Sequence, residues 1–310
     1  METPGERLVQ LVGIPVLLLA YKRPQNTREI ASLLGVSSPV YLFVDRDQDS
    51  SELNNSVIEL ALDAFSTANR QSLVYPSHLG PGKAMLRALD WVFRHEEIVL
   101  VLEDDVFPNQ HAAQYWNSVK DFVVNEGLLA SSRTPFQNKK ISDQVHSGVS
   151  KYALTNGWIL SRKIWQQFQL HQEKSLLSEF GKFICKSPLA VRTEHFYFFA
   201  SALLCRKGIV KAWDSQFIFF VLLNKIKTIT PNKSCVEIRG VDAVASNTLI
   251  NSDTSSDIFW SADELPPTFS TSWDNQVNTI YDKEIETKIY KIRWWHVFSP
   301  MKSLIRILKH

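Results

Sequence analysis

The sequence contains few cysteines, and none are paired at the spacing of a metal or redox motif. Cys185, Cys205 and Cys235 lie far apart, and no Cys-x-x-Cys pair occurs. This argues against the usual zinc-binding and thioredoxin-like motifs. An odd number of separated cysteines favours three buried thiols in a reducing compartment, so we expect a cytoplasmic protein.

The sequence also has no large excess of charge of either sign. Its 310 residues include 34 Lys and Arg against 32 Asp and Glu, which gives a formal net charge of +2 at pH 7. Proteins that bind nucleic acid over much of their surface are usually strongly basic, so we expect no nucleic-acid partner. Because 45% of the residues are hydrophobic, the chain can build a core.

No apolar run near the N-terminus is long enough to cross a bilayer. The run from Leu8 to Ala20 is interrupted by Gln10, Gly13 and Pro15, and a spanning helix needs about 20 apolar residues. A basic n-region and a small-residue cleavage site are both missing, so we expect no secretory signal peptide. The end of this run is better interpreted as a buried strand.

What the sequence does contain, from residue 14 to about 130, is an alternation of apolar and amphipathic segments. The predicted strands are PVLLLAY, PVYLFVD, QSLVYP and EIVLVLEDD, and continuous apolar runs are typical of parallel strands covered on both faces. The predicted helices are NTREIASLLG, SELNNSVIELALDAFSTAN, GKAMLRALDWVFRH and HAAQYWNSVKDFVV. Asn26 or Thr27 is the expected N-cap of the first helix, and Gly35 its stop. The alternation predicts an α/β fold, with a doubly wound, mainly parallel sheet flanked by helices.

Ligands of doubly wound sheets bind at the carboxyl ends of the strands. The polar residues that follow the predicted strands are therefore candidate binding residues. They are Tyr21-Lys22-Arg23, Asp45-Arg46-Asp47 and Glu103-Asp104-Asp105.

The last of these groups places three carboxylates together directly after an apolar strand. Adjacent carboxylates repel one another unless a cation compensates them. Mg²⁺ and Mn²⁺ prefer oxygen ligands, and such ions are commonly shared between one or two carboxylates and the phosphates of a substrate. The cluster therefore suggests a metal–diphosphate site, while a solvated acidic turn remains the alternative from these residues alone.

The segment HLGPGKAML supplies a second candidate for phosphate binding. Gly80 and Gly82 precede the start of a predicted helix, and Lys83 follows them at once. Glycines allow a backbone to approach a ligand closely, and helix N-termini favour anions. The spacing matches neither a Walker nor a dinucleotide motif, so an ordinary glycine-rich turn with a solvated lysine is the alternative.

Taken in order, PVLLLAYKRP, VYLFVD, HLGPGKAMLRALDWVF and IVLVLEDDVFPN resemble segments of nucleotide-sugar glycosyltransferases of the GT-A fold. Glu103-Asp104-Asp105 corresponds to their variable aspartate motif, often written D-x-D. The resemblance continues in NGWILSRKIW, GIVKAWDSQFIFFVLLNKIKTITPN and RGVDAVASNT, and so covers residues 14 to 248 approximately. It is greatest with bacterial hemolysin-type glycosyltransferases, which are distantly similar to the N-acetylglucosaminyltransferase I group.

The resemblance implies roles for the acidic cluster. The last acid, Asp105, would bind the metal ion, Mn²⁺ or Mg²⁺. Glu103 and Asp104 would face the ribose and the nucleotide, partly through water.

Further roles in binding the nucleotide sugar follow from the same resemblance. Asp45 would contact the uracil of a UDP-sugar, while Arg23 and Lys83 would lie near the base and the diphosphate. Trp158 would line the sugar or acceptor pocket, although tryptophan is more often a packing residue.

Asp214, in KAWDSQF, is the predicted catalytic base. An inverting transfer needs a carboxylate that takes the proton of the acceptor hydroxyl, and a metal that balances charge on the departing UDP. From the residues alone, an N-cap of the following apolar helix is the favoured role for Asp214. The resemblance favours the base.

These observations predict a metal-dependent, inverting hexosyl- or N-acetylhexosaminyltransferase. It would transfer a sugar from a UDP-sugar to a glycan or lipid-linked glycan in bacterial cell-surface polysaccharide synthesis.

Related sequences usually carry a histidine shortly after G-x-D-A. This chain has none there, and Asn247 stands nearby instead. That departure motivates one alternative, a non-catalytic nucleotide- or glycan-binding protein. A sugar-phosphate nucleotidyltransferase is disfavoured, because AYKRPQNT has no glycine.

We divide the chain into a catalytic domain, 1–248, a polar irregular segment, 249–287, and a basic aromatic tail, 288–310. The domain comprises a nucleotide-binding half, about 14–130, and an acceptor-side half, about 131–248.

The tail mixes basic residues with Trp294, Trp295 and Phe298 and has no acids. This composition suits peripheral contact with the inner face of the membrane. Pro300 breaks any single long helix, and packing against the catalytic domain is the alternative.

Overall fold

The computed structural model describes residues 11–34, 38–46, 51–64, 70–134, 147–187, 189, 192–209, 213–231, 233–239, 282–283 and 285–290. The predictions that concern Gly35, Asn247 and the tail from residue 291 lie outside the described residues.

Ten strands form two sheets in the described part of the chain. The strands are β1 (Val16–Ala20), β2 (Val40–Val44), β3 (Arg70–Val74), β4 (Ile98–Glu103), β5 (Val106–Pro108), β6 (Leu129–Ser131), β7 (Ser147–Ser150), β8 (Trp158–Ser161), β9 (Thr228–Pro231) and β10 (Val236–Ile238). Eight of them form the main sheet, in the order β3-β2-β1-β4-β8-β6-β9-β7. The other two, β5 and β10, form an antiparallel ribbon.

The main sheet is parallel over its N-terminal half and mixed beyond it. β3, β2, β1 and β4 are parallel neighbours, whereas β8 runs antiparallel to both β4 and β6. The pair β6–β9 is again parallel, and β7 closes the edge in the antiparallel sense. The predicted α/β architecture is confirmed: the sheet is mainly parallel and is flanked by helices.

Eight α-helices connect and cover the strands in the described residues. They are α1 (Pro24–Leu33), α2 (Ser51–Ala64), α3 (Pro81–Val92), α4 (Ala112–Asn125), α5 (Arg162–Gln172), α6 (Leu176–Lys186), α7 (Thr193–Arg206) and α8 (Asp214–Leu223). The predicted start of α1 at Asn26 or Thr27 is wrong. The helix begins at Pro24, because proline has no N–H to leave unpaired and its fixed φ suits the first helical position.

The sheet separates two hydrophobic layers, and its central strands supply both. Along β1, Leu17 and Leu19 point into the layer formed with α3, α5 and α8, while Val16 and Leu18 point into the layer formed with α1 and α4. Side chains of a strand alternate between its faces, so a strand buried on both sides must be apolar at every position. This is why the apolar runs β1, β2 and β4 could be recognised as central strands.

A stretch close to the C-terminus also packs into this core. Residues 285–289 form a π-helical turn, Ile285–Ile289, and the side chain of Ile285 has no exposed surface. The ring of Tyr290 lies 5.0 Å from that of Phe198 on α7. Part of the predicted irregular segment, and the first residues of the predicted tail, therefore lie against the domain predicted to end at residue 248.

The cysteines differ from the expectation of three buried thiols. Cys235 is buried, Cys205 is half-buried and Cys185 is exposed, and all three are free. Cys185 is exposed because it lies on the solvent side of α6, a helix that the sequence analysis did not predict. Among the described residues, none of the helices is both long and apolar enough to cross a bilayer.

Candidate functional site

The ends of β1 and β4 meet at the carboxyl edge of the sheet, and an ion pair joins the residues that follow them. β1 and β4 are parallel neighbours, with Leu19 paired to Glu103. The backbone N–H of Tyr21 donates to Oδ2 of Asp104 at 2.9 Å, and Nη1 of Arg23 donates to Oδ1 at 3.0 Å. Asp104 is buried, so its charge is compensated mainly by protein groups from the β1–α1 connection.

The acidic turn is held by its backbone as well. Asn26 donates its side-chain N–H to the carbonyl of Asp104 at 3.2 Å. The N–H of Arg239, just after β10, donates to the carbonyl of Asp105 at 2.8 Å. Because both carbonyls are bonded to other parts of the chain, the position of the carboxylates is set before any ligand binds.

Asp105 lies outside this ion pair and faces the edge of the sheet. Its carboxylate Oδ2 is 3.8 Å from Nη1 of Arg23, and its side chain is 32% exposed. The guanidinium of Arg23 therefore contributes positive charge to the turn, and Asp105 remains accessible to solvent.

The surroundings of Glu103 oppose its ionisation. Burial raises the pKa of Glu103 well above its ordinary value, and the charges of Asp105, Asp104 and Asp214 raise it further, while Arg23 lowers it. Such a raised pKa is what three neighbouring carboxylates produce when nearby cations compensate them only in part. A bound divalent cation would relieve this repulsion.

Asp45 ends β2 and organises the loop before α3. Its carboxylate accepts hydrogen bonds from the N–H groups of Leu79 at 2.8 Å and Gly80 at 3.0 Å. Nδ1 of His78 lies 3.1 Å from Oδ2 of Asp45. Parallel pairing of β2 and β3 brings these residues together at the same edge as the acidic turn.

The loop that Asp45 holds leaves open space at the start of α3. Gly80 has a φ of 76°, a conformation that favours glycine, and a side chain placed there would meet nothing within 4 Å. Pro81 begins α3, and Lys83 is exposed in its first turn. The predicted combination of glycine, helix start and lysine is therefore present at the edge of the sheet, with room for a ligand.

Two aromatic rings join the β1 and β3 sides of this edge. Tyr21 stacks on His78 with 4.9 Å between ring centroids and 19° between the planes, and Nζ of Lys22 lies 5.1 Å from the centre of the Tyr21 ring. The sequence analysis did not assign a role to this pair. Tyr21 lies in a strand-end group and His78 in the glycine-rich segment, so the signal was present, but nothing in the sequence showed that the two rings meet.

Asp214 is the first residue of α8, and it is half-buried. Trp213 is the N-cap, so the alternative role of Asp214 as N-cap is wrong, although Oδ1 of Asp214 accepts a hydrogen bond from the N–H of Ser215 at 2.8 Å. Burial raises the pKa of Asp214, and hydrogen bonds from the backbone N–H groups of Ser215 and Asp214 itself lower it less.

The start of α8 lies near the acidic turn. The charge of Asp214 contributes to the raised pKa of Glu103, so the two carboxylates are electrostatic neighbours. Packing explains this placement: Trp158 on β8 pairs with Val101 of β4, and its ring lies 5.9 Å from that of Trp213. Asp105, Glu103 and Asp214 are thus brought to one region by β4, β8 and α8.

Trp158 itself is a core residue in this structure. It is 1% exposed, and its ring also packs edge-on against Phe217 at 5.1 Å. Its indole N–H has no hydrogen-bond partner. The sugar-binding role of Trp158 stays a prediction, while its packing role is observed.

The acidic turn fits a metal held largely by its ligand rather than by a protein cage. In the part of the chain that the structure describes, no three His, Cys, Asp or Glu side chains are arranged to hold a metal ion. Mg²⁺ and Mn²⁺ sites of nucleotide-dependent enzymes commonly have one or two carboxylates, with water and phosphate oxygens as the other ligands. Asp105, which is accessible and lies beside Glu103, suits such a site.

No protein-family model matches the sequence, and no curated protein matches it. Solved structures with some similarity include the mannosyltransferase PcManGT of Pyrobaculum calidifontis in complex with GDP-Man and Mn²⁺, at 12% identity and a TM-score of 0.33. The match covers 50% of this chain and 46% of the mannosyltransferase, so this chain spans less than half of that protein.

Two further solved structures are similar to about the same degree. HddC of Yersinia pseudotuberculosis, complexed with GMP-PN, has 15% identity and a TM-score of 0.32, over 49% of this chain and 79% of that chain. The 4-diphosphocytidyl-2C-methyl-D-erythritol synthase of Anaerococcus prevotii has 11% identity and a TM-score of 0.34, over 53% and 78%. At TM-scores this low the similarities carry no argument, and the architecture of this chain rests on its own sheet topology.

Proposed function

We propose that this protein is a metal-dependent, inverting glycosyltransferase of the hemolysin-type branch of the GT-A fold. It transfers a hexosyl or N-acetylhexosaminyl group from a UDP-sugar to a hydroxyl of a glycan or lipid-linked glycan, in bacterial surface polysaccharide synthesis. The observation that carries the proposal is that Asp214, at the start of α8, lies close enough to the acidic turn for its charge to raise the pKa of Glu103. A single displacement requires a base on one side of the reacting carbon and a charge-balanced diphosphate on the other.

The donor nucleotide binds at the edge formed by the ends of β1, β2 and β4. Asp45 contacts the uracil: its carboxylate has about four lone-pair positions and can accept from a base N–H in addition to its loop N–H donors. Arg23 and Lys83 lie near the base and the diphosphate, and the N-terminus of α3 favours the phosphate charge. Asp104 acts by holding Arg23 and the turn in place, and Glu103 faces the ribose.

Asp105 binds the metal ion, Mn²⁺ or Mg²⁺. When bound, the ion balances the negative charge that develops on the departing diphosphate. Asp105 suits this role because it is more exposed than Asp104 and its turn is fixed by backbone hydrogen bonds.

Asp214 accepts the proton of the acceptor hydroxyl. A carboxylate in water is a weak base at neutral pH, and burial strengthens it by raising its pKa toward the working pH. The hydrogen bond from Ser215 orients the carboxylate at the start of α8. Trp158 supports the reaction by packing against Trp213 and thereby fixing the beginning of the helix.

One observation favours a second function, nucleotide binding without transfer. Arg23 lies 3.0 Å from Asp104 and 3.8 Å from Asp105, so a guanidinium already supplies part of the positive charge that a metal would provide. A protein with this arrangement can hold a nucleotide diphosphate without a metal.

A thermal-shift panel distinguishes these functions at the level of binding. UDP-glucose, UDP-galactose, UDP-N-acetylglucosamine, UDP-N-acetylgalactosamine and GDP-mannose are each added with Mn²⁺ or with EDTA. A ligand that binds the native state raises the melting temperature by mass action. We expect at least one UDP-sugar to stabilise the protein in Mn²⁺, and Asp105→Asn to lose the metal-dependent part of the shift.

The same panel contains the outcomes that count against the proposal. Stabilisation that is equal in Mn²⁺ and EDTA supports metal-free nucleotide binding. The absence of any shift with all five donors contradicts both functions. Release of UDP from the stabilising donor then separates transferase from binding protein.

A further inference from the structure

Arg239, directly after β10, contacts the acidic turn (103–105) through its backbone, and its side chain makes contacts that the proposed reaction does not use. The N–H of Arg239 donates to the carbonyl of Asp105 at 2.8 Å. This bond continues the antiparallel ladder of β10 with β5, in which Ile238 pairs with Val106. The position of Arg239 therefore bears directly on the peptide group that follows Asp105.

The guanidinium of Arg239 makes three contacts of its own. Nε donates to Oε2 of Glu237 on β10 at 2.8 Å, and Nη1 donates to Oε1 of Glu29 on α1 at 2.7 Å. Cζ lies 4.3 Å from the centre of the buried Phe107 ring, which is close enough for a cation–π interaction. Each ion pair is half exposed and is weak alone. Because one planar group makes all three contacts together, its orientation is fixed.

The contact with Glu29 closes a ring of contacts around the acidic turn. Asn26 lies three residues before Glu29, on the same face of α1, and donates its side-chain N–H to the carbonyl of Asp104 at 3.2 Å. Two successive carbonyls of the turn are therefore bonded to one face of α1. The carbonyl of Asp104 is bonded directly, and that of Asp105 is bonded through Arg239. We call Asn26, Glu29 and Arg239 the clamp.

The clamp differs in kind from the ion pair at the same turn. Arg23 lies beside the acids of the turn and supplies positive charge to them. The charge of Arg239 is compensated by Glu29 and Glu237. The contribution of Arg239 to the turn is therefore mainly one of position.

We propose that Arg239 is a positioning residue for the metal site. Its anchored side chain fixes the backbone N–H that bonds to the carbonyl of Asp105, and so fixes the direction of the Asp105 carboxylate. A ligand group that is ordered only when the metal arrives loses freedom on binding, and that loss lowers the affinity. The proposal rests on the proposed function, in which Asp105 binds the metal. It goes further by assigning part of the metal affinity to a residue that acts only through its backbone partner.

Three variants of the full-length protein test the proposal. Arg239→Gln removes the guanidinium and keeps the backbone N–H. Glu29→Gln removes only the charged partner on α1, so it serves where Arg239→Gln folds poorly. Arg162→Gln is the matched control. The N–H of Arg162 donates to the carbonyl of Glu97 at 2.8 Å, and its Nη1 lies 2.7 Å from Oε1 of Glu97, but these contacts lie at the opposite end of β4.

The affinity for Mn²⁺ changes in opposite directions for a loss of position and a loss of charge. Removing a positive charge near a cation site should by itself strengthen Mn²⁺ binding. Loss of the clamp should weaken it, and we expect Arg239→Gln to lower the affinity on the order of tenfold. Glu29→Gln should lower it less, and Arg162→Gln should bind as the wild type does. Electron paramagnetic resonance of free Mn²⁺, with UDP at saturation, measures the affinity without any need for activity.

Hydrogen exchange in the absence of metal gives the second readout. We expect Arg239→Gln to raise exchange in 104–108 and 236–239, where the ladder between β5 and β10 ends at the acidic turn. Arg162→Gln should leave exchange in both stretches unchanged. Weaker Mn²⁺ binding by Arg239→Gln with unchanged exchange in these stretches contradicts a positioning role.

The Mn²⁺ measurement also separates failure of this proposal from failure of the proposed function. Unchanged or tighter Mn²⁺ binding by Arg239→Gln overturns the proposal. Equal weakening in Arg162→Gln overturns it as well, because the effect then reflects a general loss of stability. A wild type that binds no Mn²⁺ in the presence of UDP contradicts the proposed function itself, together with the role of the clamp toward a metal.

Discussion

Arg23 and Asp104 form an ion pair, with Nη1 and Oδ1 3.0 Å apart, at the point where β1 and β4 end side by side. The second oxygen of Asp104 accepts from the N–H of Tyr21. Asp104 is therefore the residue that ties the acidic turn to the first strand–helix connection. Together with the hydrogen bonds to the carbonyls of Asp104 and Asp105, this link holds the turn in place.

Replacing Asp104 by alanine should lower the free energy of unfolding by about 3 kcal/mol. The substitution removes the acceptor of the partly buried Tyr21 N–H and the nearer of the two carboxylates that pair with Arg23. Removing one member of such a group costs more than the pair itself contributes. Urea unfolding followed by circular dichroism measures the change. Asp121→Ala, at an exposed position on α4, is the control and should change the free energy by less than about 0.5 kcal/mol. If Asp104→Ala changed the free energy of unfolding by as little as the control does, Asp104 would not be the residue that ties the acidic turn to the β1–α1 connection.

Replacing Asp45 by asparagine should weaken nucleotide binding and destabilise the loop before α3. An amide group presents one oxygen instead of two, so it cannot accept from both Leu79 and Gly80 while facing His78. We expect a loss of about 2 kcal/mol in stability and a smaller thermal shift with the stabilising UDP-sugar. Asp63→Asn, at an exposed position on α2, should behave as the wild type does. Full retention of the ligand-induced shift in Asp45→Asn would argue against nucleotide contact at this edge.

His171 makes the stability of the domain depend on pH between about 6.5 and 4. Burial among the rings of α8, followed by the charge of Arg206, lowers the pKa of His171 to about 4, from an ordinary value near 6.5. The unfolded chain binds the proton first as the pH falls, so the stabilising contribution is complete above pH 6.5 and is lost as the pH approaches 4.

Between pH 6.5 and pH 4, the free energy of unfolding lost through protonation of His171 is at most about 3 kcal/mol. The free energy of unfolding of the wild type and of His171→Leu is measured with urea at a series of pH values. The difference between the two proteins isolates the contribution of His171, because the other titrating groups are common to both. We expect the wild type's advantage in free energy of unfolding to fall steadily from pH 6.5 to pH 4. A difference that is constant across this range would show that His171 has the same pKa in the native and unfolded states.

The pH profile of turnover should report Asp214. Burial raises its pKa above the ordinary value of 3.8, and only the ionised carboxylate accepts a proton. The rate should therefore be constant at higher pH and fall as the pH decreases through that raised pKa. Steady-state UDP release across the pH range measures the profile. An acidic limb with a midpoint at or below 3.8 would exclude a buried Asp214 as the group that controls the rate.

The sequence predicted the fold best where a single physical requirement restricted which residue types could occupy a segment. Strands β1, β2 and β4 had to be apolar throughout because both faces of the sheet are covered, so their positions, and hence the candidate edge, followed from composition. Asp45, Glu103, Asp104 and Asp105 could be selected as candidate binding residues because they come at the ends of these strands. Short elements such as β5 and α6 were missed, because three residues of strand or a helix with a mixed exposed face leave little periodic signal.

What the sequence did not reveal are contacts between distant segments. Three contacts depend on how distant segments pack in the folded chain. Arg23 bonds to Asp104, Tyr21 stacks on His78, and Lys151 joins Glu194 to Glu286. The sequence also did not show that the ring of Trp158 packs against Trp213 and Phe217. The role of Trp158 in a sugar or acceptor pocket stays a prediction. The start of α1 was misplaced because side-chain capping was given priority over the preference of proline for the first helical position.

The central claim is that Asp214 is the base of a metal-dependent transfer, and the Asp214→Asn variant tests it most directly. Its donor affinity and its rate of UDP release are measured in Mn²⁺ with the UDP-sugar that stabilises the wild type. Asparagine keeps the size of the side chain but cannot take a proton, so the account predicts unchanged donor affinity and a turnover lower by roughly 10²–10⁴-fold. Undiminished turnover in Asp214→Asn, with the donor still bound, would contradict the account.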